Sequence, residues 1–297
     1  MVLENRAALQ ATIAFGLREL GTPQWQEAAG SEASVEVADA GTGPAGPWGQ
    51  NPPRTAYAAA NLMMTGVLDN LACLHQILDD AMPVIGPTIV ARSAIEIAST
   101  VWWLMEPRIG VRRRVCRELV ISLTSARRAG QVASGMQASG YQTGGLQAGS
   151  AVGNALQQEG RVLQRIADLG ISSPTGRRYE PVIEGEQASN ATDATGAMLR
   201  AVVPANAPPD FVYRTYSAIT HGEVYGLMNF MASGVSSSGT PLLHWYLPPD
   251  VLDSTVQVTI TAFQQTYQRI RKVMGWGFLA GDLWEAKVRR IYRTGRP

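Results

Sequence analysis

The chain has 297 residues, 45% of them hydrophobic and 16% charged, and a formal net charge of +1. A chain of this length buries a core without disulfide staples, and so few charges exclude a disordered polyelectrolyte. The near-zero balance excludes a whole-chain field that steers the protein to nucleic acid or membrane, so any basic site must be local.

In chain order, residues 3–20 read as a first helix ended by Gly21. Residues 30–53 are rich in Gly, Pro and Ser and read as a long loop, in which "SVEVA" alternates like a short strand. Residues 55–80 form a strong helix, with Met64, Leu68, Leu71, His75 and Leu78 on one stripe. A second long helix spans about 87–105, and a third about 109–130. The glycine-rich stretch 131–153 is either a flexible insertion or two helix ends joined by a turn. Helical periodicity resumes over 154–168 through Leu156, Leu163 and Ile166, and 171–188 reads as a loop. Two later helices begin near "PPD", at 208–210 and 248–250; Asp at a helix start favours the positive end of its dipole. The second keeps Val256, Ile260, Phe263, Tyr267, Ile270 and Met274 on one apolar face until Gly275. An amphipathic helix over 282–293 carries Trp284, Val288 and Ile291. No βαβ alternation, phosphate-binding glycine loop or long repeat occurs. The expected fold is an all-α helical bundle in one domain, its core at about 55–130 and 209–275.

Cys73 and Cys116 are the only cysteines and are expected to be buried thiols in a reducing, cytoplasmic protein. No apolar run of about 18 residues is present, so no membrane span is expected. With three His and no Glu-x-x-His pair, neither a metal nor another cofactor is expected. His75 reads as a core residue, and His244 as part of an irregular aromatic segment.

Two constellations carry chemistry. Between Asp80 and Glu106 the only charges are Arg92 and Glu96, four apart on one helical face that Ser99 and Trp103 continue. A lone pair in an apolar helix is either an internal strut or the lining of a polar pocket. In "YRTYSAITHGEVYG", Arg214, Ser217, His221 and Tyr225 fall at i, i+3, i+7 and i+11, one continuous stripe if the helix runs through. Gly222 beside His221 is expected to let another backbone approach closely. This stripe either meets Arg92 and Glu96 or faces outward.

The Arg214-x6-His221 spacing resembles the active motif of the HEPN superfamily of helical bundles. The combination of an Arg-x3-Glu helix with a later "YR..S...HG" helix also resembles a family of uncharacterised bacterial helical proteins thought to be HEPN-like. The resemblance covers about 55–130 and 209–275. It implies a metal-independent ribonuclease of toxin or phage-defence type, active as a homodimer in which two motifs meet, with RNA as substrate and an antitoxin or other protein partner. Thr215 stands where many HEPN nucleases have Asn, Asp or His. In this reading His221 is the acid–base group, Arg214 the phosphate clamp and Ser217 an orienting residue. Residues 108–128 hold seven arginines, of which Arg113, Arg117 and Arg128 share a face expected to contact phosphate. Two other readings stay open: a non-catalytic bundle that binds a nucleotide, RNA or a protein, and a small-molecule enzyme with a pocket around Arg92, Glu96, Trp103, His221 and Tyr225.

Overall fold

The computed structural model describes residues 2–21, 25–42, 48, 51–78, 84–138, 148–200, 211–235 and 241–294. Its helices are α1 (Val2–Leu20), α2 (Glu32–Thr42), α3 (Asn51–Ile77), α4 (Gly86–Leu104), α5 (Val111–Ala138), α6 (Ala148–Asp168), α7 (Ala191–Leu199), α8 (Phe211–Thr220), α9 (Val224–Leu227), α10 (Pro249–Met274) and α11 (Leu279–Thr294). Short strands are β1 (Thr175–Arg177), β2 (Glu180–Ile183), β3 (Glu186–Gln187), β4 (Met231–Val235) and β5 (Pro241–Trp245). The fold class is all-α. Two compact units divide the chain: 1–31, 60–106 and 190–297 in the first, 32–59 and 107–189 in the second. The core expected at 55–130 and 209–275 is thus shared out between both units.

In the first unit α10 is the central helix, packed against α4, α1 and α7. All six residues of its expected stripe are buried, and burying each large apolar side chain contributes roughly 1.5–3 kcal/mol. Pro249 opens this helix with no side-chain cap, and Gly275, at φ 72°, closes it in the left-handed conformation that suits glycine. Polar pins fix the packing. Thr266 Oγ1 lies 3.0 Å from the Ala98 carbonyl, and Arg269 donates to the Trp102 carbonyl at 2.7 Å. The helix start "PPD" at 208–210 lies outside the described residues.

In the second unit α5 and α6 form a tight hairpin. Small residues allow the approach: a Cβ on Gly130 would stand 3.7 Å from that of Ala155. The buried side of α6 is accordingly centred on Ala155 and Ile166, while Leu156 and Leu163, expected on the inner stripe, are exposed. The helices α5 and α6 extend into the glycine-rich stretch to Ala138 and from Ala148; residues 139–147 lie outside the described residues.

Three expectations are corrected. "SVEVA" belongs to a helix, α2, in which Ala33, Glu36, Val37 and Ala40 are buried with helical spacing while Val35 is exposed. Residues 175–187 form a three-stranded antiparallel sheet rather than a loop. Glu184 (φ 50°) and Gly185 (φ 81°) are the two positive-φ residues that turn β2 into β3, the conformation a two-residue hairpin loop demands. Cys73 is exposed, whereas Cys116 is buried, and burial with the nearby Glu184 charge pushes the Cys116 thiol up to about 12, which makes it unreactive.

Candidate functional site

Helix α8 divides its side chains cleanly. Tyr213, Tyr216, Ala218 and Ile219 are buried, whereas Arg214, Thr220 and the following His221 are exposed. The helix stops because Gly222 adopts φ 69°. Its N–H donates to the Ile219 carbonyl at 3.1 Å, and that of Glu223 reaches back to Ala218 at 2.8 Å. This paired closure is the Schellman arrangement, with His221 as the last half-helical residue and Gly222 supplying the left-handed turn. The stripe expected through Tyr225 is therefore broken: Tyr225 belongs to α9, beyond the turn, where it is 59% exposed. Gly222 has open space around it, and the close backbone approach falls at Gly226 instead. A Cβ there would stand 2.8 Å from the Ile219 nitrogen.

The inner face of α8 meets the Arg92–Glu96 pair through Tyr213. Arg92 Nε donates to Glu96 Oε1 at 2.6 Å, and Arg92 Nη2 to Tyr213 Oη at 3.2 Å. The Tyr213 hydroxyl in turn donates to Glu96 Oε1 at 2.7 Å. Burial raises the Tyr213 hydroxyl above its ordinary pKa, and donation to the Glu96 carboxylate adds to the rise. Burial works against the Arg92 charge, but its hydrogen bonds to Tyr213 and Glu96 outweigh it and hold the guanidinium above its usual value. Glu96 keeps about a third of its side chain exposed, at 34%, so the pair is a half-wet strut between α4 and α8. Ser99 is buried and donates to the Glu96 carbonyl at 2.9 Å, and Trp103 is half-buried. One turn further along α8, the Tyr216 hydroxyl lies 3.1 Å from Thr255 Oγ1, and burial pushes it up to about 12.

Of the expected site residues, Arg214 and His221 thus share the outer side of α8, with Ser217 half-buried between them. His221 lies eight residues from Tyr213, roughly 12 Å along the helix, and it is Tyr213, not a residue of the Arg214–His221 stripe, that meets Arg92 and Glu96. The arginine face of α5 is divided. Arg117 is buried, and both it and Arg113 bind Glu186, at 2.7 and 2.5 Å, while Arg128 is exposed. Burial pushes the Glu186 carboxyl up, but the two guanidinium hydrogen bonds prevail and hold it below the usual range. Arg114 is fully buried and pairs with Glu36 at 2.7 Å and Glu32 at 2.9 Å. Tyr57 also donates to Glu36 at 2.6 Å.

A group of exposed side chains that sequence reading did not single out lies on α9 and the segments that follow it. The hairpin β4–β5 pairs Met231 with Trp245 and Ala232 with His244, and the Tyr246 N–H donates to the Phe230 carbonyl at 2.9 Å. That bond ties the strand end to the segment following α9. Val224, Met228, Trp245 and Tyr246 stay exposed there, Trp245 at 52%. The strand signal was present in the short apolar and aromatic run "PLLHWYL", with glycines on its N-terminal side, and it places His244 in a strand rather than in an irregular segment. Among the described residues no group of three or more His, Cys, Asp or Glu is placed to hold a metal ion, and no helix is long and apolar enough to cross a membrane. No family model, curated protein or solved structure matches the chain.

Proposed function

We propose that the outer side of α8 binds single-stranded RNA and, in a homodimer, cleaves it without a metal. The observation that carries this reading is the exposure of both Arg214 and His221 on the side of α8 opposite the buried Tyr213 and Tyr216. The exposed Tyr225, Trp245 and Tyr246 supply flat faces on which unpaired bases stack, a sequence-tolerant contribution of about 1–3 kcal/mol per base. The planar Arg214 fork suits a phosphate. His221 takes the proton of a ribose 2′-hydroxyl as its oxygen attacks the adjacent phosphorus. The phosphorane charge is neutralised by arginine, and the 5′-oxygen leaves with a proton from water. The products are a 2′,3′-cyclic phosphate and a 5′-hydroxyl.

Within one chain Arg214 and His221 are two turns apart, roughly 10 Å along the axis, and the arginine side chain slopes away toward the N-terminus. An antiparallel pair of α8 helices centred between Ser217 and Ala218 would set each Arg214 beside the second copy's His221. This is the dimer of the HEPN-like reading. The same separation favours, as a second reading, RNA binding without cleavage by a single chain. The test is incubation of wild type, Arg214→Ala and His221→Ala with mixed RNA in EDTA, alongside a binding titration. Cyclic-phosphate products from wild type alone support the nuclease. RNA binding that requires Arg214, with background cleavage by all three, selects the second reading. Neither binding nor cleavage overturns both.

A further inference from the structure

A second concave surface of the first unit uses none of these residues. It is a groove of about 670 Å³ between α1 and α11, lined by Ala11, Ala14, Phe15, Arg18 and Glu19 on one side and by Trp276 to Lys287 on the other. Its volume falls in the range of small-molecule sites. Small residues open it: Ala11 and Ala14 from α1, Gly277 and Ala280 opposite. The floor is preformed. Phe15 and Trp284 are buried and stacked with centroids 4.7 Å apart, 9° from parallel. Trp284 Nε1 donates to Thr12 Oγ1 at 3.3 Å, and Trp276 Nε1 to the Gln26 carbonyl at 2.9 Å. Leu279 and Leu283 form an exposed apolar rim, at 73% and 62%.

Polar groups in the groove are few and unequal. Arg18 is neutralised by Glu19 at 2.8 Å and lies over the Phe15 ring. Lys287 has no ion-pair partner among the described residues and is exposed. The helices α1 and α11 run antiparallel, since Tyr292 meets Asn5 and Trp284 meets Thr12. Lys287 therefore stands at the Ala11 end, and the Arg18–Glu19 pair at the Leu279 end, roughly 12 Å away along α1. Beneath the floor, Tyr267 is 1% exposed with its ring 4.9 Å from that of Phe15, and its hydroxyl has no hydrogen-bond partner among the described residues. The unmatched charge is thus positive and sits at one end of an apolar, aromatic trough.

We infer that this groove binds a small amphiphilic monocarboxylate, its apolar body along the Phe15–Trp284 floor between Leu279 and Leu283 and its carboxylate on Lys287. The charge complementarity commits the site to an anion with one apolar end. The experiment is calorimetric titration of the full chain with decanoate, decanol and decyltrimethylammonium, each below its micelle threshold, on wild type, Lys287→Gln and Ala14→Trp. Ala14 is exposed on α1, so the indole fills the groove without entering the core; Leu283→Asp at the rim is the second blocking variant should the first not fold. Saturable one-to-one decanoate binding, weakened about fivefold by Lys287→Gln and abolished by a blocking variant, is the expected result. Equal binding of all three amphiphiles, unchanged by Lys287→Gln, overturns the anion assignment. Decanoate binding that survives both blocking variants places the ligand elsewhere and overturns the site. Absence of binding, with a self-association in sedimentation that the blocking variants abolish, overturns the ligand and assigns the face to a second copy.

Discussion

Tyr213 Oη donates to Glu96 Oε1 at 2.7 Å across 117 positions of sequence. This bond, with Arg92 on the same carboxylate oxygen, orients α8 so that Arg214 and His221 face outward. Hydrogen bonds to charged groups contribute about 1.5–3 kcal/mol, less where water competes. Tyr213→Phe is expected to lower the unfolding free energy by about 1–2 kcal/mol in urea titration. Arg92→Ala is expected to cost more, because it strips Glu96 of its charge partner.

The turn behind His221 supports a second prediction. Gly222→Ala forces a Cβ into the left-handed region, at about 1–2 kcal/mol, whereas Gly222→Asn is expected to be milder. Gly226→Ala is expected to destabilise further, since its Cβ meets backbone atoms of Ile219 and Ala218 that cannot rotate away. Thermal melts of the three variants check the order.

Alkaline pH tests the buried phenols. Tyr216 and Tyr267 are raised to about 12, in each case first by burial, against an unfolded value near 10. Between these values the folded chain holds protons that the unfolded chain releases. Their contribution is therefore complete below pH 10 and is lost as pH rises toward 12. Between these values the expected slope approaches about −1.4 kcal/mol per pH unit for each tyrosine, with little change below pH 10, measured by urea unfolding at about pH 9, 10.5 and 11.5. Tyr216→Phe should shallow it.

In the second unit, Glu36→Ala removes a carboxylate held by the fully buried Arg114 and by Tyr57. Breaking a buried pair from one side costs about 3–5 kcal/mol. Chemical denaturation is expected to show a loss of this order, and Arg114→Met, which leaves the Glu36 carboxylate buried without its partner, is expected to cost about as much; the double variant Glu36→Leu/Arg114→Met, which removes both charges, is expected to cost less than either.

Complementation distinguishes a shared site from a single-chain site. If cleavage uses Arg214 of one copy and His221 of the other, an equal mixture of Arg214→Ala and His221→Ala recovers cleavage, because each mixed dimer keeps one intact pair. RNA cleavage by the mixture at about a quarter of the wild-type rate is expected, from half the dimers holding half the sites. A mixture as inactive as either variant alone sinks the shared-site mechanism.

Much of this architecture was legible in residue spacing. The α10 stripe from Val256 to Met274 is buried along its whole length, because a periodic apolar face leaves a helix one way to exclude water. The Arg92–Glu96 pair was legible for the same local reason: four residues place two side chains on one face. Signals of intermediate length misled. Val35 and Val37 alternate like a strand, yet the burial of Ala33, Glu36, Val37 and Ala40 is helical. Leu156 and Leu163 mark a real apolar face of α6, but the close approach at Gly130 turns Ala155 inward instead.

By itself the amino-acid sequence determined the helical class, the main helices and the presence of Arg214 and His221 on one side of α8, because these depend on interactions within a few residues. Tertiary structure decided which of α8's polar residues meets Glu96 and that Arg113 and Arg117 converge on Glu186. Those outcomes depend on partners 117 and 69–73 positions away. Local periodicity carries no record of which distant carboxylate will be desolvated against which arginine or tyrosine; only the folded packing selects it.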